Sequence, residues 1–140
     1  MLMTAKIFFD TNILVYSGDP SDLHKQKIAQ QVTEKSFQEN SGFVSTQVLQ
    51  EYCSIEIKKL RRDPLIIKRS LSAWQRLEVI NITPMIIDDA LEIHLIYQFS
   101  FWDSLVISSA LAARCGILMT EDMHHGQTIQ GLTIVNPFKK

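Results

Sequence analysis

The sequence has little of what marks the more specialised classes of protein. Its 140 residues include two cysteines, five glycines and four prolines, too few for a disulfide-rich, collagen-like or low-complexity chain. No apolar run approaches the roughly 18 residues of a membrane-spanning helix. Near the N-terminus, Lys6 and Asp10 bracket only three apolar residues, a pattern that makes a poor signal peptide. We therefore expect residues 1–140 to form one cytoplasmic domain with no membrane association.

The scarcity of cysteine also argues against a disulfide framework or a zinc site. Cys53 and Cys115 each lie within an apolar helical pattern, and although one disulfide is possible by number, cytoplasmic thiols usually stay reduced. No Cys/His spacing is typical of a zinc site. We expect both cysteines to be small core residues and Trp74 and Trp102 to be core aromatics.

The net charge is only −1, but the charges are unevenly distributed. Residues 58–76 hold seven basic residues and one acid, whereas residues 77–122 hold seven acids and one arginine. A basic segment beside an acidic one suits a protein that binds polyanions and acts on them with a bound cation.

Short apolar runs alternate with helical patterns along the chain. The runs at 5–9, 43–45, 78–82, 117–120 and 132–136 are typical of buried strands. Strands that alternate with helices predict an α/β sandwich, in which helices cover a parallel sheet. We see no linker and no internal repeat.

Capping residues mark where the predicted helices begin. The expected N-caps are Ser21 or Asp22, Ser45, Asp63 (before Pro64), Thr83 (before Pro84) and Ser100. Gly42 lies just beyond the first of these helices, and Gly116 is well placed to end the last.

Four acids stand out because they end strands or interrupt apolar helix faces. Asp10 ends the first strand and Asp122 follows the strand at 117–120, so both fall at the sheet edge where α/β proteins bind ligands. Glu51 shares a helix stripe with apolar residues three positions back and four positions on. Asp103 likewise precedes an apolar stripe that should face the sheet.

Each of these acids also has an ordinary structural explanation. Asp10 suits a turn or cap, Ser100-x-x-Asp103 nearly matches a capping box, Glu51 could lie on a solvated flank, and Asp122 could be a loop acid. Four converging carboxylates, however, repel one another unless a cation compensates their charge. Oxygen-only ligands favour Mg²⁺ or Mn²⁺, so the sequence predicts a site for such an ion.

Four segments together point to one family. "FFDTNILVY", "STQVLQEY", "FSFWDSLVISSAL" and "LMTEDMHHGQTIQGLTIVNPF" resemble, in order and spacing, the blocks of the PIN-domain ribonucleases, specifically the VapC-like toxins of toxin–antitoxin pairs. The resemblance covers nearly the whole chain. It implies a three-layer α/β/α sandwich around a central, mainly parallel sheet, and RNA cleavage that depends on Mg²⁺ or Mn²⁺.

The resemblance also implies roles for particular residues. The positions that match the family's catalytic and metal-binding acids are Asp10, Glu51, Asp103 and Asp122. Thr11, Asn12 and Thr120 match the polar residues that would orient those ligands. Glu121 is not assigned a ligand role, because its side chain should point elsewhere.

The expected partners follow from the same resemblance. VapC-like proteins resemble one another in forming homodimers and in being blocked by a small antitoxin protein that lies over the active-site groove. The basic residues Lys58, Lys59, Arg61 and Arg62 are candidate RNA contacts. They also fall near the end of a helix, where cations complement the helix dipole, so both interpretations stay open.

Two other functional classes remain as alternatives. A phosphoryl-accepting receiver or a haloacid-dehalogenase-like phosphatase also places Asp at strand ends. A receiver, however, has paired acids after its first strand and a lysine after a late one, and a phosphatase has a second Asp where this chain has Asn12. The other class is a catalytically inactive PIN fold that only binds RNA or a protein, and the four acids argue against it.

Overall fold

The computed structural model describes residues 4–139, which contain six helices and six strands. The strands are β1 (Ile7–Phe9), β2 (Gly42–Ser45), β3 (Glu78–Ile80), β4 (Ile117–Met119), β5 (Thr128–Ile129) and β6 (Leu132–Val135). The helices are α1 (Thr11–Ser17), α2 (Leu23–Glu39), α3 (Thr46–Lys58), α4 (Pro64–Trp74), α5 (Pro84–Tyr97) and α6 (Phe101–Ala112). Residues 1–3 and 140, the ends of the domain predicted over 1–140, lie outside the described residues.

The strands form one sheet in the order β3-β2-β1-β4-β6-β5. All pairs are parallel except β5 with β6. In β1, Ile7 lies opposite Gly42 on one side and Ile117 on the other. Phe8 and Phe9 point to opposite faces of the sheet, and both are fully buried. The predicted α/β fold with a central, mainly parallel sheet is therefore confirmed.

The helices divide into two groups, one on each face of the sheet. The steps from β1 to β2 and from β2 to β3 run in the same direction, and the chain then returns across the sheet to β4. Right-handed crossovers place α1 to α4 on one face and α5 and α6 on the other. Accordingly α1 packs on α2 and α3, α3 packs on α4, and α5 packs on α6. The three-layer sandwich is confirmed.

The predicted helix starts are confirmed by the capping hydrogen bonds. The side chains of Asp22, Ser45, Asp63, Thr83 and Ser100 each accept a hydrogen bond from a backbone N–H in the first turn of the helix that follows. This removes one of the four unpaired amide donors at each helix start.

The predicted helix ends are less accurate. After α2 it is Asn40, with φ of 52°, that takes the left-handed conformation, and after α6 it is Arg114, with φ of 58°. Position 42 requires glycine for a different reason, because a Cβ there would lie only 2.6 Å from Leu77 Cδ2 and 2.7 Å from Ser36 Oγ. The glycine therefore allows α2 to pack close to the sheet.

Both cysteines and one of the two tryptophans pack in or against the core, as predicted. Cys53 is half-buried and Cys115 is buried, and both are free thiols; burial raises the pKa of the Cys115 thiol to about 12, so it is unreactive. Trp74 is a core residue. The prediction for Trp102 is wrong, because 63% of its surface is exposed.

Among residues 4–139, no helix is both long enough and apolar enough to span a bilayer.

Candidate active site

Asp10 is held at the junction of β1 and α1. It is the N-cap of α1, and its Oδ1 accepts a hydrogen bond of 2.8 Å from the Thr11 backbone N–H. Its Oδ2 accepts a second one, also 2.8 Å, from the hydroxyl of Thr120, which follows β4. Only 6% of Asp10 is exposed, so two donors and the surrounding core fix the position of this carboxyl.

The pKa of the Asp10 carboxyl is raised to about 6, mainly because burial removes it from water. The hydrogen bonds from Thr120 and Thr11 oppose the rise, and the nearby charges of Glu51 and Asp122 add to it. A positive charge at this place would reverse the effect. Asp10 is therefore both a cap, as one interpretation of the sequence had it, and a destabilised anion.

Glu51 approaches Asp10 from α3. Its Oε2 accepts a hydrogen bond of 3.0 Å from the Thr11 hydroxyl, and its Oε1 accepts one of 2.9 Å from Gln47 Nε2. The same Gln47 nitrogen donates to the Trp102 carbonyl at 3.2 Å. Since Gln47 lies four residues before Glu51, the two share one helix face, and Gln47 aligns the acid from within its own helix.

Asp122 approaches from the other side, just beyond β4. Its Oδ2 accepts a hydrogen bond of 2.9 Å from Asn12 Nδ2, and its backbone N–H donates to the Thr120 hydroxyl oxygen at 3.2 Å. Asn12 Oδ1 in turn accepts from the Glu121 backbone N–H at 3.3 Å. The three polar residues Thr11, Asn12 and Thr120 thus contact three of the four acids directly.

Asp103 lies in the first turn of α6, where the Ser100 hydroxyl caps its backbone N–H at 3.1 Å. Partial burial raises the pKa of its side chain, and the charges of Asp122 and Glu51 raise it further, while a hydrogen bond with Ser100 lowers it. The capping interpretation and the site interpretation both apply, since Ser100 contacts both the backbone and the carboxyl of Asp103, and the same carboxyl lines the cavity with the other acids.

All four acids line one cavity of about 730 Å³ at the carboxyl edge of the sheet. Neither of the two ion pairs formed among residues 4–139 involves any of them. Within the same residues, no three His, Cys, Asp or Glu side chains stand close enough together to hold a metal ion as they are placed here. The acids therefore face a common space without yet converging on a point.

The four basic residues predicted to contact RNA are not equivalent. Lys58, Lys59 and Arg61 are exposed, and Lys59 lines the acid cavity. Arg62 instead pairs with the buried Glu56, with its Nε 2.8 Å from Oε2, and donates to the Gly18 carbonyl. Its guanidinium is occupied within the protein.

A second polar cluster beside the cavity was not foreseen as a unit. Glu121 Oε1 accepts a hydrogen bond of 2.7 Å from the Tyr16 hydroxyl, and its Oε2 pairs with Lys25. The Lys25 ammonium also lies 4.8 Å from the centre of the Tyr16 ring and 5.6 Å from that of Phe138. These contacts direct the Glu121 side chain toward Tyr16 and Lys25, and we expected it to point away from the other acids because Asp122 is the matched residue. Glu121 nevertheless lines the cavity.

The comparison with solved structures gives the same fold. A toxin–antitoxin complex from Klebsiella pneumoniae matches with a TM-score of 0.70 and 23% identity, covering 94% of this chain and 98% of that one. VapBC2 from Rickettsia felis bound to promoter DNA matches with a TM-score of 0.65 and 21% identity, covering 91% and 96%. The sarcin-ricin-loop-cleaving toxin VapC20 of Mycobacterium tuberculosis matches with a TM-score of 0.63 and 16% identity, covering 81% and 87%.

The comparison with protein families identifies the same group. No curated protein sequence matches this chain with significance. The PIN domain family matches residues 7–128, a span that runs from β1 into β5 and includes all four acids of the cavity. The chain belongs to the PIN domain family.

Proposed function

We propose that this protein is a metal-dependent endoribonuclease and the toxin of a toxin–antitoxin pair. One observation supports the proposal most directly: Asp10 is buried with a raised pKa and shares its cavity with three further carboxylates. Such a cluster carries an uncompensated negative charge at the edge of the sheet where α/β proteins bind ligands.

The donor set fits a hard divalent cation. All four candidate ligands are carboxylates, which suit Mg²⁺ or Mn²⁺, and no described cation is paired with them. Asp10, Glu51, Asp103 and Asp122, which all line the cavity, would hold the ion. When bound, such an ion stabilises charge on a phosphoryl group and lowers the pKa of a coordinated water.

The polar residues around the acids preorganise them. Thr11 contributes its amide to Asp10 and its hydroxyl to Glu51, so one residue sets the spacing between two ligands. Asn12 donates to the Asp122 carboxylate. Thr120 links the other pair, since its hydroxyl donates to Asp10 and accepts from the Asp122 backbone N–H. These donors restrict the positions of three of the four acids before any ion or substrate is bound.

Lysine and arginine side chains outside the acid cluster would bind the phosphates of the RNA substrate. Phosphates are repelled by the four carboxylates, whereas Lys59 at the cavity wall and the exposed Lys58 and Arg61 beside it offer positive charge. We omit Arg62 from the proposed RNA contacts because Glu56 and Gly18 occupy it.

Two protein partners belong to the proposal. Solved structures similar to this chain are toxin–antitoxin complexes, which supports a small antitoxin that covers the cavity; an arginine or lysine from it would pair with the acids. Helix α5 exposes a run of large apolar side chains, which supports a homodimer through that helix: Met85, Ile87, Leu91, Leu95 and Ile96.

The test is cleavage of RNA by the purified protein. We expect cleavage with Mg²⁺ or Mn²⁺, none in excess EDTA, and none by Asp10→Asn. Expressed without its antitoxin, the wild type should arrest growth and Asp10→Asn should not. Cleavage in excess EDTA would disprove the metal requirement. Equal toxicity of the two proteins would favour the alternative of a PIN fold that acts only by binding.

A further inference from the structure

Trp102 is a large aromatic side chain left in solvent beside the acid cavity. It lies in the first turn of α6, directly before Asp103, with 63% of its surface exposed. Its backbone is fixed by the hydrogen bond from Gln47 Nε2 to its carbonyl. Its ring is supported by Phe101, whose ring centre lies 5.4 Å away at an interplanar angle of 74°. The indole is therefore anchored and presented to solvent.

A second depression adjoins the acid cavity at Trp102. It has a volume of about 370 Å³ and is lined by Gln47, Gln50, Glu51, Ser54 and Trp102. Gln47, Glu51 and Trp102 also line the acid cavity, so the two depressions share a wall. No lysine, arginine or histidine among the described residues lines the second depression.

The chemistry of this depression suits a neutral, flat, polar ligand. A phosphate group in this depression would lie near Glu51 with no compensating cation, so the sugar–phosphate backbone of an RNA is not favoured there. A nucleobase carries no charge, stacks on an aromatic face, and offers N–H and C=O groups along its edge. The exposed amide of Gln50 and hydroxyl of Ser54 supply partners of both kinds.

Gln47 adds an independent indication. Its side chain is 4% exposed and its Nε2 is used by Glu51 and the Trp102 carbonyl, but its buried Oε1 has no hydrogen-bond partner among the described residues. An acceptor left in this state is unfavourable, and because Gln47 lines the depression, a ligand N–H is a suitable partner for it.

We propose that Trp102, Gln47, Gln50 and Ser54 form a nucleobase-binding subsite next to the acid cavity. The subsite stacks one base of a single RNA strand on Trp102 while the adjoining phosphate lies over the acids. This inference rests on the proposed ribonuclease function, and it assigns base recognition to α3 and α6 and phosphate contact to the basic end of α3.

The first test is the fluorescence of Trp102 in the Asp10→Asn background with Mg²⁺ present, so that the RNA stays intact while a cation offsets the charge of the remaining acids. The probes are an octamer of uridylate, an octamer of adenylate and an abasic octamer with the same number of phosphates. We expect the two base-containing octamers to quench the emission and the abasic octamer to leave it unchanged. Trp102→Phe retains only the buried Trp74 and should show no quenching with any probe.

The second test is affinity, measured by anisotropy of labelled octamers under the same conditions. Trp102→Ala should bind the base-containing octamers roughly 5- to 150-fold more weakly, and Trp102→Phe should retain most of the affinity. The dependence of log affinity on log salt should keep its slope in both variants, since no phosphate contact is removed.

The outcomes separate this subsite from the nuclease assignment. Quenching that needs bases supports the subsite even if the wild type fails to cleave RNA, a result that would defeat the nuclease alone. RNA cleavage by the wild type without base-dependent quenching would overturn the subsite and leave the nuclease standing. Equal quenching by the abasic octamer would overturn it too. So would emission that changes with protein concentration and not with RNA, because Trp102 would then contact a second copy.

Discussion

The guanidinium of Arg62 lies 2.8 Å from the carboxylate of Glu56, a residue with only 2% of its surface exposed. Burial raises the pKa of the Glu56 carboxyl, and the charge of Arg62 opposes this rise without cancelling it. The same guanidinium donates to the Gly18 carbonyl. One arginine thus neutralises a buried acid of α3 and ties the end of that helix to the turn after α1.

We expect Arg62→Ala to destabilise the fold by about 3–5 kcal/mol, because it leaves Glu56 buried without a counter-charge. Arg61→Ala is the matched control, since Arg61 is exposed and adjacent, and it should change stability by less than about 1 kcal/mol. Urea unfolding measures both. Similar stability of the two variants would mean that Arg62 is free to contact RNA after all.

Asp10→Asn should leave the fold intact and raise its stability at pH 7.5 in metal-free buffer. The substitution removes a buried charge whose pKa shift, from 3.8 to about 6, corresponds to about 3 kcal/mol. It also loses the acceptor for the Thr120 hydroxyl, at about 1 kcal/mol. The exposed Asp88→Asn on α5 is the control and should change little. Unfolding of Asp10→Asn would show that the carboxylate itself is structural.

The stability that Asp10→Asn gains over the wild type should depend on pH, because the pKa of Asp10 is higher in the folded state than in the unfolded state. Between about pH 4 and pH 6 the folded state holds a proton that the unfolded state has released, so ionisation of Asp10 lowers wild-type stability as pH rises. The advantage of Asp10→Asn should therefore grow over this window and stay constant above it. Urea unfolding at pH 4 and pH 7.5 in EDTA measures the difference. An advantage independent of pH would contradict the assignment.

Asp103→Asn should abolish cleavage with little loss of stability, since the Ser100 hydroxyl still caps the backbone of residue 103 and an asparagine side chain can still hydrogen-bond to Ser100. Ser100→Ala should show the converse, losing about 0.5–2 kcal/mol of stability while cleavage persists at a temperature where it is folded. Thermal melts and cleavage assays on both variants distinguish the two roles. If Asp103→Asn melts as early as Ser100→Ala, the carboxyl is part of the cap.

Replacing Lys58, Lys59 and Arg61 by glutamine should weaken RNA binding and flatten its salt dependence. Each lost phosphate contact should reduce the log–log slope by roughly 0.7 for a single strand. Lys68→Gln with Arg69→Gln, two exposed positions on α4, is the control. Asp10→Asn should retain binding while losing cleavage. An unchanged slope in the triple variant would place the phosphate contacts elsewhere.

Much of the fold could be predicted because it depends on local chemistry. Each long helix begins at a side chain that accepts from its first turn, and such residues are visible in the sequence. All five predicted apolar runs contain strands, although β1 and β3 are shorter than expected, and the two-residue strand β5 (Thr128–Ile129) was not predicted. The placement of Asp10 and Asp122 at one edge followed from parallel strands alone.

The features that could not be predicted depend on tertiary packing. Helix α1 has only seven residues and several β-branched ones, and it is held by the Asp10 cap and by burial of Ile13 and Leu14. The last helix ends through a left-handed Arg114 and not at Gly116. The pairing of Arg62 with Glu56 and the exposure of Trp102 likewise need the folded structure, because the same residue types serve equally well in other roles.

The position of β1 has a consequence for the timing of synthesis. β1 lies between β2 and β4, and Asp10 reaches its partner Thr120 across 110 positions of the chain. Asp10 leaves the ribosome early, but β4 must be translated before the cavity can close around it. Whatever chemistry the four acids perform therefore begins only after β4 and Asp122 have been translated. A chain that stops before residue 117 lacks the strand that brings Asp122 to the cavity, so it should be inert.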